Sequence, residues 1–314
     1  MLEGTAEEVT ITGAASLTPA ELAQARELKR ACDAADGLDL KLGWGEGSGA
    51  APTVFLAHAG DRLVGYCSLD GDGTVAEICG MVAPGWRRRG IGARLFETAR
   101  ASFRSAGGDQ LFAICEDASA SGRAFIGHLS GQRAFTEHRM ELRAGAPPAD
   151  DDALTIRLLM PGDEEAFLIA ARITAAGFER PLEQTVEHMR ADLEQSAERQ
   201  RLYLALAHDG PVGVFKLYAE ESDASVGIYG FAVDPARQRQ GWGRRMLARA
   251  CALAREQGAS RVTLEVDSAN ERAIALYTSS GFVTTTTYGY YIFPRIVLAV
   301  GLDGALAAEE QAGE

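Results

Sequence analysis

Little in this chain suggests a metal centre, a disulfide framework or a membrane segment. Its 5 cysteines, Cys32, Cys67, Cys79, Cys115 and Cys251, are odd in number and form no Cys-x-x-Cys pair. They read as free, buried thiols in a reducing compartment. The 5 histidines keep no metal-ligand spacing with Cys, Asp or Glu, so no metal is expected. No apolar run reaches the ~18 residues that cross a bilayer. The opening residues, MLEGTAEEVTI, lack the basic start and apolar stretch of a secretion signal, which makes the cytoplasm the expected location. Basic residues are in deficit: 31 Lys and Arg against 44 Asp and Glu give a net charge of −13. That balance argues against a nucleic-acid partner, which needs a basic face, and permits a cationic substrate. A Gly-x-Ser-x-Gly nucleophile elbow and a Gly-Lys-Ser/Thr phosphate loop are both missing.

What is present is said twice. Residues 82–93 read VAPGWRRRGIGA and residues 233–244 read VDPARQRQGWGR. Pro84 and Pro235, and likewise Gly90 and Gly241, stand at one constant spacing of 151 residues, close to half of 314. A period this long indicates two copies of a domain rather than a solenoid. With 46% hydrophobic and 24% charged residues, the chain can bury two cores. We expect domains at 1–146 and 153–300, joined by the Pro- and Asp-rich linker 143–152 and followed by a frayed tail, 301–314.

Each half repeats one order of elements. In the first, Val9–Thr12 is a strand, and Thr18-Pro19-Ala20-Glu21 opens a helix to about Ala35 with a capping box. Residues 36–52 read as loop. Thr53–His58 and Leu63–Leu69 form a hairpin, and Thr74–Val82 is a third strand. A glycine turn, a helix over Ile91–Ser105, a strand at Leu111–Cys115, a helix over Ser121–Ser130 and a strand at Ala134–Leu142 follow. The second half repeats this with strands at Leu154–Leu159, Leu202–His208, Val212–Tyr218, Ser225–Val233 and Arg261–Val266. Its helices are Asp163–Ala176, Thr185–Ser196, Gly241–Gln257 and Asn270–Ser279. Final strands are expected over Phe282–Ala299. The fold class is α+β (α/β), each half a mixed, largely antiparallel central sheet flanked by helices.

The glycine turns carry the first chemical signal. A strand, a turn containing Gly-x-Gly and a helix bring unpaired N–H groups and a partial positive charge to one point, which suits a phosphate. Arg87, Arg88, Arg89 and Arg94 crowd the first turn, and Arg237, Arg239, Arg244 and Arg245 the second. In an acidic chain this concentration indicates a polyanionic ligand. The preceding strands form hairpins, so the turns are not a dinucleotide-binding fingerprint.

The second signal occurs once, in LEVDSANERAIALYTSSGF at 264–282. Leu-Glu-Val, Asn270, Ala273, Leu276-Tyr277 and Gly281-Phe282, preceded by Val-x-Pro and Gln-x-x-Gly-x-Gly, resemble the GCN5-related N-acetyltransferase (GNAT) superfamily. Within it, the pattern is similar to bacterial ribosomal-protein N-terminal acetyltransferases. A tandem in this length is similar in architecture to two-domain bacterial acetyltransferases, mycothiol synthase among them. The resemblance implies that acetyl-CoA is the cosubstrate and that its acetyl group passes directly to a primary amine. It puts Gln238, Arg239, Gln240, Gly241, Trp242, Gly243 and Arg244 on the pyrophosphate. The pantetheine arm then lies along Phe231, Ala232 and Val233, where the Val233 N–H polarises the thioester carbonyl. Asn270 caps its helix and reaches the arm. Tyr277, two turns further on the same face, protonates the departing thiolate; a packed core tyrosine is the alternative.

The base stays open. Glu265 lies twelve residues before Tyr277, the spacing at which the resemblance holds. Glu220 and Glu221 are rivals, and a solvated or arginine-paired strand carboxylate is the competing reading for Glu265. Many relatives carry an acid where this chain has Gly227. In the first half, Val82, Arg87, Arg88, Arg89, Gly90, Ile91 and Gly92 match the binding turn, and Glu77 stands where the second half has Gly227. The Asn, the Leu-Tyr and the Gly-Phe are missing there, with Gly127 or His128 expected at the tyrosine position. That half either binds acetyl-CoA without turning it over or acts as scaffold. The acceptor, a small molecule or a peptide, stays undetermined, as does whether the protein is a monomer or a dimer. A non-catalytic acyl-CoA sensor and an enzyme acting on protein N-termini are the other readings.

Overall fold

The computed structural model describes residues 8–45, 52–71, 73–143, 152–195, 199–220 and 224–293. Linker residues 144–151, the 301–314 tail, residues 294–299 of the last expected strand and Glu221 lie outside them.

The first half runs β1 (Val9–Ala14), α1 (Pro19–Asp36), β2 (Val54–Ala59), β3 (Arg62–Gly71), β4 (Val75–Val82), α2 (Ile91–Ser105), β5 (Gln110–Glu116), α3 (Ala120–His128) and β6 (Gln132–Leu142). The expected capping box starts α1: the Thr18 hydroxyl accepts the Glu21 N–H, and the Glu21 carboxylate accepts the Thr18 N–H at 2.8 Å. The helix stops at Gly37, whose φ of 68° ordinary residues resist. The second half runs β7 (Thr155–Leu158), α4 (Glu164–Gly177), α5 (Leu182–Gln195), β8 (Gln200–Ala207), β9 (Gly210–Ala219), β10 (Ser225–Val233), α6 (Trp242–Glu256), β11 (Arg261–Asp267), α7 (Glu271–Ser279) and β12 (Phe282–Ile292). Helix α5 begins three residues ahead of the expected Thr185. Where several final strands were expected, the described residues hold one, β12.

Two expected sheets are joined in one. The strand order is β1-β2-β3-β4-β5-β12-β6-β11-β10-β9-β8-β7. β4–β5 and β10–β11 pair in parallel, and the other rungs are antiparallel. The halves have exchanged their last strands. β12 pairs with β5 of the first half, and β6 pairs with β11 of the second. The two exchanged strands then pair with each other along their whole lengths, Phe282 opposite Leu142 and Ile292 opposite Gln132. Glu137 faces Tyr288, its own counterpart at the 151-residue spacing, so the pseudo-twofold axis runs through this rung. The exchange leaves neither β5 nor β11 as an open edge at the centre of the molecule.

Helices cover both faces. α2 and α3 pack with Ile78, Leu111 and Ala113, and α6 and α7 pack with Ile228, Leu264 and Val266, all on one face. On the other, α1 packs with Leu56, Tyr66 and Met81, and α4 and α5 pack with Leu202, Leu204 and Val214. All five cysteines are free and buried, as expected. No helix among the described residues is long and apolar enough to cross a membrane.

Candidate active site

The two glycine turns are built alike. Arg88 and Arg239 hold φ of 64° and 61°, and Gly90 and Gly241 hold 77° and 86°. A left-handed arginine costs about 1–3 kcal/mol, and here it recurs at matched positions, a mark of a functional turn. α2 and α6 both start directly after the glycine with no side-chain cap. Their first intrahelical bonds are Arg94 N–H to Gly90 and Arg245 N–H to Gly241. The N–H groups of Ile91, Gly92 and Ala93, and of Trp242, Gly243 and Arg244, therefore have no helical acceptor and are available to an anion.

The basic side chains divide by half. In the first, the Arg87 guanidinium makes two 2.8 Å bonds to the Asp36 carboxylate and donates to Val82 O at 3.0 Å. Arg89 lies over the Trp86 ring at 4.7 Å. In the second half Gln238 replaces Arg87 and donates to Val233 O at 3.4 Å, the same carbonyl position. Gln240 donates to Ala236 O and accepts from Trp242 Nε1, both at 3.4 Å. Arg244 donates to Ser279 Oγ at 2.9 Å, tying the start of α6 to the end of α7. Arg239 is exposed, with no hydrogen bond or ion pair among the described residues.

Beyond each turn lies a gap in the sheet. Pairing of β10 with β11 stops at Ile228–Leu264, and pairing of β4 with β5 stops at Ile78–Ala113. A bulge between Tyr229 and Ala232, with Gly230 at φ 55°, breaks the β10–β9 register. Bulges re-aim the strand beside active sites. β4 has no such bulge; it pairs with β3 in unbroken register from Gly71–Ala76 to Gly65–Val82. Phe231 lies in the bulge, and Ala232 and Val233 resume the pairing with β9 after it.

Tyr277 stands beside them. Its ring lies 6.3 Å from Phe231 and 6.1 Å from Phe282, and the residue is 7% exposed. Its hydroxyl has no hydrogen-bond partner among the described residues and is not sealed from solvent. Burial pushes the phenol up to about 12, so it is a protonated donor at neutral pH. Asn270 caps α7, its Oδ1 accepting the Ala273 N–H at 3.0 Å. That leaves the amide NH2 of Asn270 for a ligand.

Glu265 is the first β11 residue past the last paired rung, and alternation turns it to the α1 side of the sheet. There it accepts from Lys41 Nζ at 2.8 Å. Lys41 also donates to the Tyr290 hydroxyl at 2.9 Å and lies 3.9 Å from Glu137. Tyr290 in turn donates to Glu137. Burial opposes the Lys41 charge, but Glu265, with Tyr290 and Glu77, outweighs it and holds the ammonium well above the ordinary lysine range. Arg139 on β6 faces Glu265 across the rung, and Tyr229 approaches from β10. No local pattern marks Lys41, Glu137, Tyr288 or Tyr290, since these contacts span up to 249 residues.

The first half lacks each of these groups at the same 151-residue spacing. Ile114 stands for Glu265, and Ser119 stands for Asn270, its Oγ accepting the Gly122 N–H at 3.0 Å to cap α3. Both α3 and α7 have 9 residues, so Ile126, 5% exposed, takes the place of Tyr277. The expectation of Gly127 or His128 there is corrected by one or two positions. A cavity of about 680 Å³ runs through the first-half gap, between Val82, Gly90 and Gly92 on one side and Ala113, Phe125 and Ile126 on the other. At the α3 position the cavity is lined by Ile126 and holds no tyrosine hydroxyl.

Glu77 borders the seam. Burial pushes its carboxyl up to about 7, against the pull of Lys41. The folded chain thus binds this proton more tightly than the unfolded chain. Stability contributed at low pH is lost as pH rises from the ordinary carboxylate range through about 7. The expected loss is ~3 kcal/mol. Melting curves between pH 5 and 8 should show this fall, and Glu77→Gln should flatten it. A pH dependence identical in the variant contradicts the assignment.

Two copies of a splayed parallel pair feeding a glycine turn define a tandem acyltransferase fold. The Acetyltransferase (GNAT) family model matches residues 21–129 and 169–282. The chain belongs to this family, which uses acetyl-CoA, and is an acetyltransferase. Mycothiol acetyltransferase from Salinispora tropica is 30% identical over 302 residues, 90% of this chain and 96% of that protein. The one from Thermobispora bispora is 31% identical over 290 residues, 86% and 95% of the two chains. Among solved structures, a tandem GNAT protein from the clavulanic acid biosynthesis pathway superposes with TM-score 0.70 at 19% identity, covering 91% of this chain and 98% of that one. A GCN5-related N-acetyltransferase from Sphaerobacter thermophilus gives 0.69 at 18% identity, over 92% and 97%.

Proposed function

We propose that the second half carries the chemistry, moving acetyl from acetyl-CoA straight to the primary amine of a small molecule. The observation that supports this best is the matched loss in the first half: Ile114, Ser119 and Ile126 replace Glu265, Asn270 and Tyr277 while the binding turn is kept. In this reading the pyrophosphate sits on the N–H groups of Trp242, Gly243 and Arg244, with Gln238, Arg239 and Gln240 around it. The pantetheine arm lies along Phe231–Val233 and meets the amide of Asn270. Glu265, through water, takes a proton from the acceptor ammonium. The neutral amine attacks the thioester carbon, forming the C–N bond, with the Val233 N–H on the carbonyl oxygen. The C–S bond then breaks, and Tyr277 protonates the thiolate. The amide nitrogen's surplus proton returns to the tyrosinate, and Glu265 releases its own to solvent.

The mycothiol acetyltransferases among the relatives favour an acceptor of mycothiol type, and the carboxylates at the seam suit a cationic one. Cytoplasmic location and catalysis by a single chain belong to the same reading. The test is a panel of primary amines, with amino sugars, aminothiols, polyamines and a peptide N-terminus, mixed with acetyl-CoA. Free thiol and acetylated product are measured together. Turnover with a small amine is expected. Tight acetyl-CoA binding with no thiol released from any member would favour a sensor, and turnover confined to the peptide would favour a protein N-terminus.

A further inference from the structure

The base proposed for the second half is held by a residue of the first. Lys41 lies in the segment after α1, and its ammonium reaches 2.8 Å from Glu265 Oε2 across 224 residues of sequence. The other carboxylate oxygen, Oε1, carries no hydrogen bond among the described residues. One oxygen is anchored and one is open, at the first position past the last β10–β11 rung. A structural tie between halves is the competing explanation, and the segment argues against it. Its path is fixed without the Lys41 side chain. Leu40 N–H bonds Asp33 at 3.1 Å, Gly43 N–H bonds Ser68 at 3.2 Å, the Tyr66 hydroxyl bonds Gly43 O at 2.5 Å, and the Tyr288 hydroxyl bonds Asp39 O at 3.4 Å. The halves are already joined by the long β6–β12 pairing. The Lys41 and Glu265 side chains are 27% and 17% exposed, so the pair is part-buried at a mouth and keeps access to solvent.

We propose that Lys41 is a positioning residue for acetyl transfer in the second half, holding Glu265 so that its free oxygen receives the acceptor's proton. The half that lacks counterparts of Tyr277, Glu265 and Asn270 thereby completes the acceptor side of the other. The exchange of β12 takes part, since Tyr290 of the second half, seated beside β5 of the first, shares the Lys41 ammonium. This rests on the reading of Glu265 as base, and the experiment separates the two.

Free thiol released from acetyl-CoA with the best amine of the panel is measured for wild type, Lys41→Met, Glu265→Gln and the double variant, with melting curves as folding control. Lys41→Met should lower kcat about ten- to hundredfold, the scale of a misplaced catalytic group, with KM for acetyl-CoA unchanged. In the Glu265→Gln background the same change should cost nothing further, because Lys41 acts through Glu265. Lys41→Cys alkylated with bromoethylamine, which rebuilds the ammonium, should recover the rate; the five native cysteines are buried and spared. A Lys41→Met enzyme of wild-type kcat overturns the proposal, and so does an equal loss in both backgrounds. If Glu265→Gln alone leaves turnover intact, the base reading falls and the positioning role with it. If Glu265→Gln is slow while Lys41→Met is not, the base stands and the positioning role alone is lost.

Discussion

Tyr277→Phe is expected to lower turnover by ~10²-fold or more while leaving acetyl-CoA affinity nearly unchanged, the usual scale for losing a general acid. The substitution preserves the ring that packs against Phe231 and Phe282, so no cavity opens in the core. The hydroxyl it removes has no hydrogen-bond partner among the described residues to leave stranded. Stability should therefore hold, which isolates the chemical step. With burial holding the phenol at about 12, wild-type activity should persist to high pH, and the high-pH limb should move in the variant. Stopped assays of thiol release across pH, beside calorimetric titration of acetyl-CoA, check both parts. Unchanged turnover on a genuine acceptor would return Tyr277 to the role of a packed core residue.

Local chemistry was legible wherever the chain's neighbours in space are its neighbours in sequence. Thr18-Pro19-Ala20-Glu21 caps α1 as read, the β2–β3 and β8–β9 hairpins form, and Gly90 and Gly241 start their helices in the left-handed conformation. The exchange of β6 and β12 was not legible. A strand's alternation fixes which face is buried, not which strand lies beside it. Arg139 and Glu137 alternate with His138 and Met140 equally well next to β5 or next to β11.

The same limit governs the site. The turn falls between β10 and α6, and the cap and tyrosine fall in β11–α7, so the spacing within each segment was readable. The group holding Glu265 comes from the far half, and nothing near Lys41 distinguishes it from a solvated lysine. The miscount at Gly127 and His128 has another origin. With no Gly-Phe after α3, the first half offered no downstream anchor, although the constant 151-residue spacing points to Ile126. Arg87 was read from its charge and its place in the glycine turn, and its bidentate pairing with Asp36 depends on the last turn of α1, 51 residues away.

The assignment of catalysis to the second half is tested most directly by matched changes at the two turns, Gly241→Val and Gly90→Val. At both positions an added Cβ meets no heavy atom within 4 Å apart from its own chain neighbours, so both sites are open to a side chain. Both keep positive φ, 86° and 77°, and a β-branched residue there costs about 1–3 kcal/mol in either half. The two should melt at similar, slightly lowered temperatures. They differ in what the new side chain obstructs. In the proposed reading, at Gly241 it meets the pyrophosphate and should cut kcat/KM for acetyl-CoA by ~10²-fold or more; at Gly90 it should leave turnover largely intact. The measurement is the pair of rates on one acceptor, taken side by side. Loss confined to Gly241→Val is the expected result, and loss confined to Gly90→Val would mean that the first half, not the second, is the enzyme.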